Sequence, residues 1–82
     1  MMQVKVITVQ GVQLDAMADA VHVSGIQGKL TFLPHHADII VQLRAGNVQV
    51  RAKDAHSDIE LTGGYAYMHD GKLIILGKKL TD

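Results

Sequence analysis

The chain has no cysteine, no tryptophan, one proline and one phenylalanine, and its eight Lys and Arg residues are balanced by eight Asp and Glu. Each shortage removes a class of protein. Without cysteine there is neither a disulfide framework nor a thiolate metal site to support a small core. That core is limited, because a chain of 82 residues buries only roughly 60 to 65% of its unfolded surface, and a deep enzyme cleft is not expected in it. Without a net field nothing gathers a phosphate backbone or an anionic bilayer, so nucleic acid is not an expected partner. Apolar runs such as Leu73-Ile74-Ile75-Leu76 stay far below the roughly 18 residues needed to cross a membrane. The opening MMQVKVITVQ has neither a basic stretch followed by an apolar one nor an Arg/Ser-rich amphipathic pattern. No signal or transit peptide is read there, and a cytosolic or cytosol-facing setting is expected.

What the chain does contain is alternation. In NVQVRAK, Val48, Val50 and Ala52 alternate with Asn47, Gln49, Arg51 and Lys53, the pattern of a strand with one buried and one wet face. Val4 and Val6, Val21 and Val23 around His22, Ile39 with Val41 and Leu43, and Ile59 and Leu61 around Glu60 repeat it. Turn signals separate these runs at Gln10-Gly11, Gly25 to Gly28, Ala45-Gly46-Asn47, Asp54 to Ser57, Gly63-Gly64 and Asp70-Gly71. Asp70-Gly71 is the sharpest, since a two-residue type I′ hairpin turn needs positive φ at both positions. Asp15 to Ala20 is short for a helix and is read as an irregular strand. The ending KKLTD reads as a frayed terminus. One all-β domain over residues 1–82 is expected, a small antiparallel β-sandwich or flattened barrel of about ten short strands.

Candidate chemistry is thin. Five histidines, His22, His35, His36, His56 and His69, invite a metal. Adjacent side chains on an extended segment point to opposite sides, however, so His36 can face the same way as Asp38 rather than His35, and no third ligand follows at a supporting spacing. Ser24 and Ser57 are the only serines, and neither lies in a G-x-S-x-G elbow. Gly25-x-x-Gly28 lacks the Lys-Ser/Thr pair of a phosphate loop and reads as a tight turn between strands. Tyr65 and Tyr67 share a strand face and keep one alternative alive, a small ligand- or peptide-binding sandwich that uses both rings. A histidine metalloenzyme is the other alternative and requires three ligands to converge. No cofactor is expected.

The run Val23-Ser24-Gly25-Ile26-Gln27-Gly28-Lys29-Leu30-Thr31-Phe32-Leu33-Pro34-His35-His36-Ala37 precedes an apolar strand, Leu43-x-x-Gly46, Leu61-Thr62-Gly63-Gly64-Tyr65 and the final strand Leu73 to Leu76. In that order the elements resemble the N-terminal domain of the epsilon subunit of F-type ATP synthases, over residues 2–78. The resemblance implies a ten-stranded, non-catalytic sandwich at the foot of the central stalk. It would lie between the gamma subunit and the membrane ring of c subunits, coupling proton- or sodium-driven rotation to the catalytic head. It would be peripheral to the membrane, on the cytoplasmic side of a bacterial inner membrane. By the same resemblance Gln27, Lys29 and His36 lie towards the c ring, and Thr8, His36 and Val41 towards gamma. Physical reasons agree with a docking corner there, since paired glycines allow a tight loop and Pro34 fixes its own φ beside His36.

Two departures stand out. The family continues as an α-helical hairpin that inhibits ATP hydrolysis and in some members binds ATP; this chain stops at Asp82, so a short form without those activities is expected. Lys29 occupies a position where the family commonly has an acidic residue, which alters or reverses the charge pairing expected with the c-subunit loop.

Overall fold

The computed structural model describes residues 1–79; of the KKLTD ending, read as frayed, Lys78 and Lys79 continue strand structure and residues 80–82 lie outside the described residues. Among them every regular element is a strand: β1 (Met2–Thr8), β2 (Gly11–Ala18), β3 (Ala20–Gly25), β4 (Gly28–Phe32), β5 (Ile39–Arg51), β6 (His56–His69) and β7 (Lys72–Lys79). They form one hydrogen-bonded sheet in the order β2-β1-β7-β6-β5-β3-β4. Neighbours run antiparallel except β1 and β7, which are parallel.

The inner face is covered without help from any helix. Met2, Val4 and Val6 of β1, Ala18 of β2, Val21 and Val23 of β3, Phe32 of β4, Leu43, Val48 and Val50 of β5, Leu61, Ala66 and Met68 of β6, and Leu73 and Ile75 of β7 form one buried cluster, each at 5% exposure or less. Both edge strands, β2 and β4, contribute to it. With no other element among the described residues to cover that face, the sheet must cover itself. It folds into a flattened sandwich of 31 × 27 × 18 Å, the layer arrangement that lets alternating strands bury one side.

The strand count is seven, not about ten, because two sequences read as turns lie inside long strands. Ala45-Gly46-Asn47 lies within β5 and Gly63-Gly64 within β6, and the two strands pair in unbroken register from Ile39↔Met68 to Arg51↔His56. What changes there is the inward face. In β5 the buried positions pass from Leu43 to Val48 and Val50, and in β6 from Leu61 to Ala66 and Met68. An odd-numbered inward set thus becomes an even-numbered one at the same level of the ribbon. Gly63 and Gly64, with φ of 149° and 143°, supply backbone conformations other residues rarely adopt, and the β6–β7 register shifts between Leu61 and Gly64. The ribbon therefore contributes one face to one layer and its other face to the next.

Local turn chemistry holds elsewhere. Asp70 (φ 51°) and Gly71 (φ 74°) make the two-residue link between β6 and β7, as a type I′ turn requires. Asp15 to Ala18 is strand, the end of β2.

Candidate docking surfaces

The expected contact residues fall into three places. Gln27 and Lys29 line a groove of about 430 Å³ with Ile26, Leu30, Ile39, Ile40, Val41 and Gln42. The β3–β4 turn forms one wall, held by the Ile26 N–H donating to the Gln42 carbonyl at 2.9 Å. Gln27 and Lys29 are exposed, whereas Val41 is half-buried and packs against the core. Register explains the difference, because Val41 pairs with Ala66 on the inner face while Ile40, at 67% exposure, pairs with Tyr67 on the outer one.

His36 lies apart from that groove, in a shallower hollow with Met1, Pro34, His35, Asp38, Asp70 and Gly71. Its ring lies against Phe32, centroids 5.3 Å apart and tilted by 59°. Its N–H donates to the Leu33 carbonyl at 2.9 Å, and its Nδ1 stands 2.8 Å from the Ala37 carbonyl. Phe32 is wholly buried, so the histidine is anchored through a core side chain rather than held on a mobile tip.

Thr8 lies on the inner face and is only 7% exposed. Its hydroxyl accepts from the Gln10 N–H and from Gln13 Nε2, each at 3.1 Å, so it organises the turn between β1 and β2. Any part it plays at an interface passes through that turn, where Val9 is 85% exposed. The structure therefore gathers Gln27, Lys29 and Val41, and leaves His36 and Thr8 in separate settings.

Sequence reasoning missed a broad outer face. One row across it runs Gln42, Tyr65, Leu76, Ile7 and Val12, and a second runs Ile40, Tyr67, Ile74 and Lys5. Ile40, Tyr65, Tyr67, Leu76 and Val12 are all exposed by 41% or more, and Ile7 and Ile74 are half-buried. The Tyr67 ring stacks on His69 at 5.8 Å and 4°. Alternation marked Tyr65 and Tyr67 as facing together, but the unbroken apolar run Leu73 to Leu76 has no alternation to show an outer face. The contiguity of the patch appears only once β2, β1, β7, β6 and β5 are laid side by side. An apolar patch spanning five neighbouring strands is what a stable partner covers.

Among the described residues no three His, Asp or Glu side chains gather in a metal-holding arrangement, and no buried side-chain nitrogen or oxygen lacks a partner. Neither tyrosine lines the grooves above. A sandwich whose marked features are an exposed apolar face and an anchored loop corner defines a docking module. The sequence matches the ATP synthase delta/epsilon chain, β-sandwich domain, over residues 1–81, and the chain belongs to that family. It is 37% identical to the ATP synthase epsilon chain of Moorella thermoacetica over 76 residues, 92% of this chain and 57% of that one. It is 32% identical over 76 residues to the epsilon chain of Campylobacter curvus, covering 92% and 59% respectively. The fold also matches a chain in the central stalk and c-ring structure of the Tetrahymena thermophila mitochondrial ATP synthase, with a TM-score of 0.81 at 19% identity, covering 95% of this chain and 63% of that one. The chain thus spans little more than half the length of these epsilon chains.

Proposed function

We propose that this sandwich is a non-catalytic rotor module of an F-type ATP synthase, joining the ring of c subunits to the gamma shaft. Family membership over residues 1–81 carries the reading, and the two kinds of exposed surface give it a physical form. The outer apolar face of Tyr65, Tyr67, Ile74, Leu76 and Ile7 is the side offered to gamma, since a permanent contact in a rotor favours buried apolar area. The groove with Gln27 and Lys29, and the corner with His36, are the side offered to the polar loops of the ring. Val41 supports that groove from within. The module is peripheral to the membrane, on the cytoplasmic side of a bacterial inner membrane, and among the described residues no helix is long and apolar enough to span one. It transmits torque from a proton- or sodium-driven ring, and the catalysis belongs to other subunits. The described residues contain no helix, and we assign them no inhibition of ATP hydrolysis.

Captured on an affinity support, the chain is expected to retain a gamma subunit together with the c ring. Lys29→Glu inverts an exposed charge at the rim of the groove, and such changes act on association rate and salt dependence more than on retention, by about tenfold or less. Weaker ring association at low salt that converges with the unaltered chain at high salt is the expected result. A chain that retains neither gamma nor ring would sink the reading.

A further inference from the structure

Asp38 closes the loop that carries His36 onto a hairpin distant in sequence. One carboxylate oxygen, Oδ2, stands 2.8 Å from His69 Nδ1, and the other, Oδ1, accepts the Asp70 N–H at 3.0 Å. Both partners lie on the β6–β7 hairpin, 31 and 32 residues further along the chain. His69 is oriented for this contact by stacking flat on Tyr67, and Asp70 by the positive φ that the turn demands of it. The hydrogen bond from the Asp70 amide, then that from the His69 ring, hold the Asp38 carboxyl below its ordinary value.

We propose that Asp38, His69 and the Asp70 amide form a clamp that sets the position of the Leu33 to Ala37 corner, making Asp38 and His69 positioning residues for docking at His36. Between Phe32, fixed in the core, and Ile39, where β5 begins, the chain's backbone hydrogen bond is internal to the loop, from the His36 N–H to the Leu33 carbonyl. That bond gives the corner its shape, the His36 ring rests against Phe32 on one side, and Asp38 supplies the polar tie to the body on the other. Magnitudes indicate what the clamp does. His69 and Asp38 are 61% and 58% exposed, and ion pairs in such settings add little to global stability. The clamp therefore acts on local order, where small energies decide how often a loop opens. The surrounding charges are His35 and His36 on the loop, Asp70 on the turn, Lys72 paired across from His69, and the chain terminus at Met1.

The sign with pH follows from the lowered carboxyl. Its contribution is complete above the unfolded value of 3.8 and is lost as pH falls through the lower folded value, so the corner stays clamped at neutral pH and is released in acid.

The inference rests on the docking role proposed for this corner, and the test separates the two. In the labelled full chain, the Asp70 amide proton shift is followed against pH by NMR, and amide exchange is measured at His36. In the unaltered chain the Asp70 amide is expected to report a titration with a midpoint below 3.8. In Asp38→Asn, which keeps an acceptor but loses the charge, the Asp70 amide proton should move upfield at neutral pH and His36 exchange should rise about tenfold, with Val4 and Ile75 protection unchanged. His69→Gln should raise His36 exchange while leaving the Asp70 titration in place. In the second arm, Asp38→Asn should leave the gamma–ring assembly several-fold faster than the unaltered chain. Unchanged Asp70 shifts and His36 exchange in Asp38→Asn would overturn the clamp. A loosened loop with unaltered release would overturn its positioning role. If the unaltered chain itself were not captured, the docking reading would fall, and the first arm alone would still decide whether the clamp exists.

Discussion

Tyr65→Glu combined with Leu76→Lys is expected to leave the sandwich folded and to lower affinity for gamma by about a thousandfold. The two residues are register partners across β6 and β7 and point outward at 52% and 50% exposure. Outward substitutions away from buried features usually change stability by no more than about 0.5 kcal/mol each. Opposite charges directly across a strand pair offset part of what the lost apolar contacts contributed. At an interface the same two residues stand near the centre of the apolar face, where anchors cost about 2 kcal/mol or more each when removed. Together that is about 4 kcal/mol, close to three decades in Kd. Thermal melts read the fold and surface capture reads the affinity. Binding within about threefold of the unaltered chain would mean that gamma approaches another side. A dimer of this chain that the variant dissolves would assign the face to a second copy.

Gly64→Ala is expected to be the most damaging single-methyl change in the molecule. Its φ of +143° lies in a region side chains rarely adopt, and an added Cβ would meet the Leu76 carbonyl oxygen and stand 2.7 Å from the Gly77 Cα. Both neighbours are backbone in the paired strand, so neither can swing aside as a flexible side chain would. Backbone strain of about 1–3 kcal/mol and a steric clash of similar size add to about 2–6 kcal/mol. That is a large share of the roughly 5–15 kcal/mol of a whole domain, and corresponds to a melting temperature lower by about 10 °C or more. Gly63→Ala is the control. Its φ is +149°, but the nearest neighbour of its added Cβ is the Leu43 carbonyl oxygen at 3.5 Å, an ordinary contact, so only the strain remains. Equal losses in the two variants would show that close approach of β7 is not what Gly64 serves.

These glycines also show where the sequence could be read and where it could not. Asp70-Gly71 was legible because a type I′ turn is decided by the two residues that make it. The strand faces were legible as well: Ile39, Val41 and Leu43 on one beat and Val48 and Val50 on the next were separable by alternation alone. Ala45-Gly46-Asn47 and Gly63-Gly64 misled, because glycine answers two different demands with the same letter. At Gly46 and Gly64 the demand is close approach: a Cβ at Gly46 would stand 2.7 Å from Ser24 Oγ, a neighbour on β3 that no local window contains.

The candidate contacts divide in the same way. The Gly25 to Gly28 turn and the Pro34-His35-His36 corner were visible as short motifs. Which side Thr8 faces depends on the phase of β1, whose buried positions are Met2, Val4, Val6 and Thr8, and that phase turns its hydroxyl inward. Val41 is on the core side by the same arithmetic of twos. The outer face could not be seen in the apolar run Leu73 to Leu76, since a strand covered on one side by its own core and on the other by a partner reads like one buried in a single domain. Asp38 was read beside His36, and its contact with His69 gave no signal because it exists only after β6 has returned beside β5.

The most direct measurement is ATP-driven ion pumping by synthase complexes depleted of their own epsilon subunit and supplied with this chain, with ATP hydrolysis recorded in parallel. Pumping that rises with added chain to a plateau, while hydrolysis stays level, is the predicted result, since the proposed role of these surfaces is to join ring to shaft and none of them is assigned to the catalytic head. Steady hydrolysis with no pumping at saturating chain would contradict the account.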